Sequence, residues 1–244
     1  MNMVMTQVMD DIRTAPQEGH RRSGFLITFS GVDGSGKSSQ VVSLQRTLSL
    51  RGIPAVRAWG GNKPTLSYPF LALIRLLGYT QRKRIQGLVF VQRDISRNRA
   101  ISRLWPIILA LDFVPKALVS VTIPLHRRKV VICDRYVYDF IAELSQERLL
   151  GIRGRRILLG LLPRPNLAFL MDVDVELAWK RALIPGRARE QPIYDLSGRR
   201  RTYLQLSKQF RMVVVDGGKD AAYNRSLVLD RTLDELAMSG LYTR

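Results

Sequence analysis

Cysteine is almost absent from this 244-residue chain, which carries only Cys133. A single thiol excludes an intramolecular disulfide and any cysteine-based metal cluster. Cys133 follows Val130, Val131 and Ile132, so it reads as a packed core thiol rather than a reactive one. Histidine is also scarce: His20 and His126 are too few and too far apart in sequence to suggest a metal site. Acids are few too, with 20 Asp and Glu against 39 Lys and Arg, for a formal charge of +19. Such an excess draws nucleic acid, anionic lipid or other acidic polymers. Solvated arginines from an arginine-rich proteome would produce the same number, and composition does not choose between the two. Residues 1–24 lack the apolar run of a signal peptide, and Asp10 and Asp11 stand where it would be. They read as a flexible tail, with the cytoplasm as the expected location.

What is present is enough for a full core. At 46% hydrophobic residues the chain reads as one globular α/β domain over residues 25–244. The strongest local signal is Gly31-Val32-Asp33-Gly34-Ser35-Gly36-Lys37-Ser38, with Ser39 following. It fits G-x-x-x-x-G-K-[ST], a loop that wraps nucleotide phosphates. Residues 25–29 before it are apolar, β-branched or aromatic and predict a buried strand. After it, Val41, Leu44 and Leu48 recur at helical spacing until Gly52 and Pro54 stop the helix. The glycines let successive N–H groups point inward, and the helix N-terminus adds partial positive charge. In this pattern Lys37 reaches the β/γ-phosphates, and the Ser38 hydroxyl holds Mg²⁺.

Further along, residues 55–59 predict a second strand ended by Gly60-Gly61, the start of a parallel βαβ sheet. Residues 68–79 have helical spacing. A basic segment follows, residues 80–103, with Arg82, Lys83, Arg84, Arg93, Arg97, Arg99 and Arg103. It predicts a solvated helix with a basic face, and a docking surface for an anionic partner is the alternative. Residues 104–125 are apolar enough to raise a membrane-spanning helix. Asp112, Lys116, Pro106, Pro115 and Pro124 argue instead for buried helices leading into the next strand. Basic residues at both ends (Arg103; Arg127, Arg128, Lys129) leave peripheral membrane contact open.

Residues 130–133 predict a buried strand with Asp134-Arg135-Tyr136 just past its end. An acid there has the geometry of a second magnesium-coordinating group, and Arg135 suits a second phosphate. Residues 166–172 predict a strand and 175–183 a helix. Residues 184–201 break the pattern and carry five arginines, Arg187 and Arg189 among them, which predicts a mobile lid. A last strand at 212–215 and a helix at 226–238 complete the chain. The expected fold is α/β, a P-loop NTPase three-layer fold with a parallel β-sheet flanked by helices and a lid loop.

The order of these motifs resembles the thymidylate kinase family of nucleoside monophosphate kinases over residues 25–238, with the basic segment as an insertion. The family's phosphate-loop pattern is matched by Gly31 to Ser38, and its Arg-Glu-Pro-Gly-Gly segment is echoed by Arg57-Ala58-Trp59-Gly60-Gly61. Its Asp-Arg-Tyr motif is matched by Asp134-Arg135-Tyr136. Asp172-Val173-Asp174 and the Tyr203-to-Leu206 run echo two more. The resemblance implies transfer of the γ-phosphoryl of ATP to a small phosphate-bearing acceptor, as in nucleotide biosynthesis, with Mg²⁺ as cofactor. Gly31, Asp33, Gly34, Ser35, Gly36, Lys37, Ser38 and Ser39 would hold the nucleotide, and Ser38 and Asp134 the metal. Lys37, Arg135, Arg187 and Arg189 would be catalytic. Asp33, Arg57, Trp59, Phe113, Arg135, Tyr136 and Asp139 would line the acceptor site.

Two positions depart from the family's thymine-reading pattern. Phe113 follows Asp112 where an arginine is expected, and Leu109 stands where a ring would stack on the base. Asp139 replaces a hydroxyl residue, and Glu143 adds a further acid. These departures predict a poor fit to thymidylate. A sugar or lipid phosphate acceptor at the membrane, a low-turnover nucleotide-binding module and a homodimer all stay open.

Overall fold

The computed structural model describes residues 24–60, 65, 67–85, 88–93, 95–146, 149–182 and 193–241. At its centre is β1 (Phe25–Ser30), flanked in an all-parallel sheet by β5 (Val130–Asp134) and β6 (Leu167–Asp172). The edges are β2 (Ala55–Trp59) and β7 (Val213–Asp216), giving the order β2-β5-β1-β6-β7. Phe29 is level with Asp134 and Met171 with Val215, so the strands' carboxyl ends gather along one edge. Ligands of open α/β sheets collect at that edge.

Alternation along β1 divides the core. Phe25, Ile27 and Phe29 face one layer, where α1 (Lys37–Leu50) and α9 (Ala221–Met238) bury Val41, Leu44, Leu48, Val228 and Leu236. Leu26, with Val131, Cys133 and Leu170, faces the other layer. There α3 (Arg99–Ala117), α5 (Val137–Gln146), α6 (Ile152–Leu161) and α8 (Ile193–Gln209) cover the sheet. Cys133 is fully buried, and burial pushes its thiol well above the ordinary range, as expected of a core thiol. The remaining helices are α2 (Tyr68–Leu76), α4 (Ile123–His126) and α7 (Val175–Ala182).

Three expectations are corrected here. The basic segment is not a helix at its start: β3 (Thr80–Ile85) and β4 (Leu88–Arg93) pair as an antiparallel hairpin apart from the main sheet. The Leu88-Val89-Phe90-Val91 run has strand propensity that the surrounding arginines mask in a composition-based reading. Residues 193–201, expected in the lid, form the first half of α8, because Leu196, Arg199, Tyr203 and Leu206 bury along one side of it. The apolar stretch is one continuous 28-residue helix, Arg99–His126, in which a π-turn at Leu118–Thr122 joins α3 to α4. Pro106 and Pro115 sit inside α3, and the helix continues past both.

That helix is long and apolar enough to cross a bilayer, with a mean hydropathy of 1.8 over an 18-residue window. Its inner side nonetheless buries Ile101, Trp105, Leu109, Phe113, Val121 and Leu125 in the core. At roughly 1.5–3 kcal/mol each, withdrawing six large side chains costs on the order of 10–20 kcal/mol. That matches or exceeds the whole stability of a typical domain, about 5–15 kcal/mol. The helix belongs to this core, and only its outer side is left over.

Candidate active site

The phosphate loop turns between β1 and α1 at the centre of the carboxyl edge. Gly34 has φ +84°, and a Cβ there would lie 2.2 Å from the Ala178 carbonyl oxygen, so α7 can approach only because the residue is glycine. Gly36, also left-handed, opens α1 with free space around its Cα. No side chain caps that helix start and no acid stands in its first turn, which leaves its N–H groups to an incoming anion.

Lys37 is buried, and its Nζ donates to the Val32 carbonyl at 2.7 Å and lies 3.4 Å from Ser35 Oγ. Burial, assisted by the Arg135 charge, pulls the ammonium pKa down to about 8 against the pull of Asp33, Asp139 and Asp134. Ser38 Oγ donates to Asp134 Oδ2 at 2.5 Å, so the two expected metal ligands meet at the mouth of the loop. A hydroxyl and a carboxylate form a hard-oxygen pair that fits Mg²⁺ sharing its remaining positions with phosphate and water.

Arg135 follows β5 in a left-handed conformation, φ +69°, that non-glycine residues rarely adopt. Its backbone N–H donates to Phe29 O at 3.0 Å, and Gly60 packs directly on its carbonyl. The turn aims the guanidinium at Asp33, and the two form an ion pair. Burial would raise the Asp33 pKa, but the charges of Arg135, Lys37 and Arg199 hold it below the usual carboxylate range. Asp139 lies behind Arg135, 4.0 Å from its Nη1. It accepts from Ser30 Oγ (2.7 Å), Tyr136 N (3.0 Å) and Tyr203 OH (2.8 Å).

Several expected acceptor residues lie elsewhere. Asp139 is buried and braces Arg135 from within instead of lining an open pocket. Tyr136 is fully buried, its hydroxyl donating to Pro163 O. Phe113 stacks on Phe140 at 4.8 Å in the core, and Leu109 is buried with it. Both side chains fall on the inner side of α3, which is why they face the core rather than a ligand. Arg57 is exposed within β2, and the side chain of Trp59 is outside the described residues. Arg187 and Arg189 also lie outside them.

Other contacts had little or no sequence signal. Asp112 is buried and accepts from Thr65 N (2.7 Å), Thr65 Oγ1 (2.5 Å) and Ser67 Oγ (2.7 Å), and it pairs with Lys116 at 2.5 Å. It thereby holds Thr65 and Ser67 against α3. Burial opposes its charge, yet these donors hold its carboxyl well below the usual range. Arg200 forms a bidentate pair with Asp172 at 2.7 and 2.8 Å, and Arg199 donates to Gln146 Oε1 at 3.3 Å. Two lid-side arginines are thus fixed on a helix beside the loop. Arg181 donates to Gly217 O at 2.6 Å and ties α7 to the turn after β7.

No protein-family profile matches the chain. Individual relatives do. The thymidylate kinase of Thermosipho melanesiensis is 26% identical over 222 residues, 86% of this chain and 99% of its own length. A probable thymidylate kinase of Thermococcus kodakarensis is 28% identical over 222 residues, 85% of this chain and 98% of its own. One of Pyrococcus abyssi is 28% identical over 195 residues, 77% and 85% of the two chains. Over most of its length the chain is similar to members of the thymidylate kinase family. Asp112 is not followed by the arginine that the family pattern leads one to expect, and the phenylalanine there is spent on the core.

Proposed function

We propose that this chain is a nucleoside monophosphate kinase that moves the γ-phosphoryl of ATP onto a nucleoside monophosphate in the cytoplasm. The observation that carries the reading is the meeting of two pairs at one mouth: Ser38 with Asp134, and Arg135 with Asp33. Phosphoryl transfer asks mainly for positioning and charge neutralisation. The loop amides and Lys37, released from Val32 O, hold the donor phosphates. Ser38 and Asp134 would hold Mg²⁺, which when bound neutralises charge on the β- and γ-oxygens. Arg135, freed from Asp33 and braced by Asp139, takes the acceptor phosphate, with Arg57 assisting. Asp33 then faces the acceptor's sugar. Arg199, Arg187 and Arg189 meet the charge that develops between the two phosphates.

The relatives' name supports a nucleotide acceptor over a sugar or lipid phosphate. With no arginine after Asp112 to read the base, thymidylate is expected to be only weakly preferred over other pyrimidine monophosphates, since sharp discrimination rests on buried polar partners. An ADP-release assay with saturating ATP and Mg²⁺ tests this over nucleoside monophosphates, sugar phosphates and phosphorylated lipid headgroups. ADP release that depends on a nucleoside monophosphate is expected. Release dependent on a sugar or lipid phosphate instead, or ATP binding with no acceptor-dependent release, would overturn the reading.

A further inference from the structure

The two oxygens of the buried Asp139 carboxylate are held differently. Oδ2 accepts from Ser30 Oγ (2.7 Å), at the end of β1, and from the backbone N–H of Tyr136 (3.0 Å), next to Arg135. Oδ1 accepts from Tyr203 OH on α8 (2.8 Å) and faces Arg135 Nη1 at 4.0 Å. That separation is beyond hydrogen-bond reach, which ends near about 3.2 Å for an N–H donor. Asp139 therefore lends Arg135 its charge and occupies none of its N–H groups.

The two carboxylates beside Arg135 differ in what they would cost a substrate. The Asp33 side chain is 59% exposed, so its pair with Arg135 borders water and can give way to an incoming phosphate. The Asp139 side chain is only 6% exposed. A direct hydrogen-bonded pair with it would form in the interior, where opposite charges are screened least, and a phosphate would have to break it. Closing the gap to a normal bond length takes a shift of only about 1 Å. The group that stands against this shift is the Tyr203 hydroxyl. Its ring is fully buried along the inner side of α8 with Leu196 and Leu206, which fixes where the hydroxyl points. Burial, with the Asp139 charge beside it, pushes the hydroxyl pKa well above its ordinary value, so the group stays protonated and keeps donating.

We propose that Tyr203 is a positioning residue for the acceptor: by holding Asp139 Oδ1 it keeps a buried carboxylate off Arg135 and leaves the guanidinium free for the acceptor's phosphate. The inference rests on the reading of Arg135 as the group that takes that phosphate. Tyr203 itself touches no substrate and acts only through Asp139.

The test starts from Y203F, which removes the hydroxyl and keeps the ring, with folding checked by circular dichroism. Its crystal structure without nucleotide should show Asp139 Oδ1 within about 3.2 Å of Arg135 Nη1. Calorimetry should show binding of thymidine and uridine monophosphates weakened about tenfold, with ATP affinity unchanged. In turnover the loss should appear as a raised acceptor KM at nearly constant kcat, the signature of lost binding. D139N/Y203F has no carboxylate to set against Arg135, so it should bind the monophosphates as tightly as D139N does. Lost packing would not be rescued in this way, and the double variant also serves if Y203F alone fails to fold. An Oδ1–Nη1 distance that stays near 4 Å in Y203F overturns the proposal. So does unchanged monophosphate affinity in Y203F, an equal loss of ATP affinity, or weaker binding by D139N/Y203F than by D139N. A wild-type chain that binds no nucleoside monophosphate overturns the proposal together with the kinase reading, and is told apart from the other outcomes because the wild type itself fails.

Discussion

Arg135 at the end of β5 donates to the carboxylate of Asp33 in the phosphate loop, so two segments 102 residues apart close one site. The pair bridges the two halves of the proposed reaction, because Asp33 lies in the donor loop and Arg135 is aimed across it from outside. In the absence of nucleotide each neutralises the other, and substrate phosphate must compete for the guanidinium.

Replacing Arg135 separates activity from stability. R135G should lose about 10²–10³-fold in kcat/KM, the scale of removing one preorganised donor. Its Tm should hold within a few degrees, since glycine relieves a left-handed strain of about 1 kcal/mol that offsets the lost ion pair. R135K should not rescue activity, because a lysine point charge does not reproduce the guanidinium fork. Steady-state kinetics and thermal melts on the same preparations check both parts.

Lys37 couples ATP binding to protons. With its pKa drawn down to about 8 in the free protein, the side chain is charged at pH 7 and increasingly neutral above pH 8. Donor phosphates favour the charged form, so ATP binding should take up a proton at pH above about 8 and take up almost none at pH 7. Calorimetry in buffers of different ionisation enthalpy measures the uptake, and ATP affinity should fall as pH rises through that range. K37A should fold normally, show no uptake and lose transfer.

Asp112 should prove structural for the acceptor side. D112A leaves the Thr65 and Ser67 donors and the Lys116 ammonium without their acceptor, at a cost of about 3 kcal/mol. That corresponds to a Tm lower by roughly 6–12 °C in a chain of this size. Because the folded carboxyl pKa is depressed, its contribution is complete above the ordinary value near 4 and is lost as pH falls below it. Wild-type Tm should therefore drop more steeply than that of D112A on acidification below about pH 4. KM for the acceptor should rise in D112A with little change in ATP affinity.

Arg187 and Arg189 should act on the chemical step. The phosphate loop from Gly31 to Ser38 contains no arginine, so none enters from the loop itself. The double variant R187A/R189A should bind ATP nearly as wild type while turnover falls about 10³-fold. If affinity collapses and the rate per bound complex is unchanged, the lid serves binding only.

How much of this was legible in the sequence depends on the range of the interaction. The strand, loop and helix around Gly31 to Ser38 rest on contacts within a few residues, and a pattern of period two followed by one of 3.6 encodes them openly. The meeting of Ser38 with Asp134 was legible because the phosphate loop leaves the end of β1 and Asp134 closes β5, and strand ends converge in a parallel sheet. Asp139 was misplaced because its partners, Ser30 and Tyr203, come from two other elements, and a buried carboxylate resembles an exposed one in sequence. Phe113 was assigned to a ligand from its place after Asp112, while its side of the helix is decided by Ile101, Trp105 and Leu109. The hairpin escaped notice because its arginines suggest a solvated helix, although Val89 and Val91 favour a strand. Only burial tells that the outer side of the long helix is bare, since inner and outer residues there are equally apolar.

The central claim is that the γ-phosphoryl of ATP ends on a nucleoside monophosphate. Its most direct test incubates the wild-type chain with γ-labelled ATP, Mg²⁺ and each nucleoside monophosphate in turn, and then separates the products. The account predicts label in a nucleoside diphosphate formed from a pyrimidine monophosphate, with thymidylate only weakly preferred, and no such product from K37A. Label that stays in ATP or appears only as inorganic phosphate, whichever nucleoside monophosphate is supplied, would contradict it.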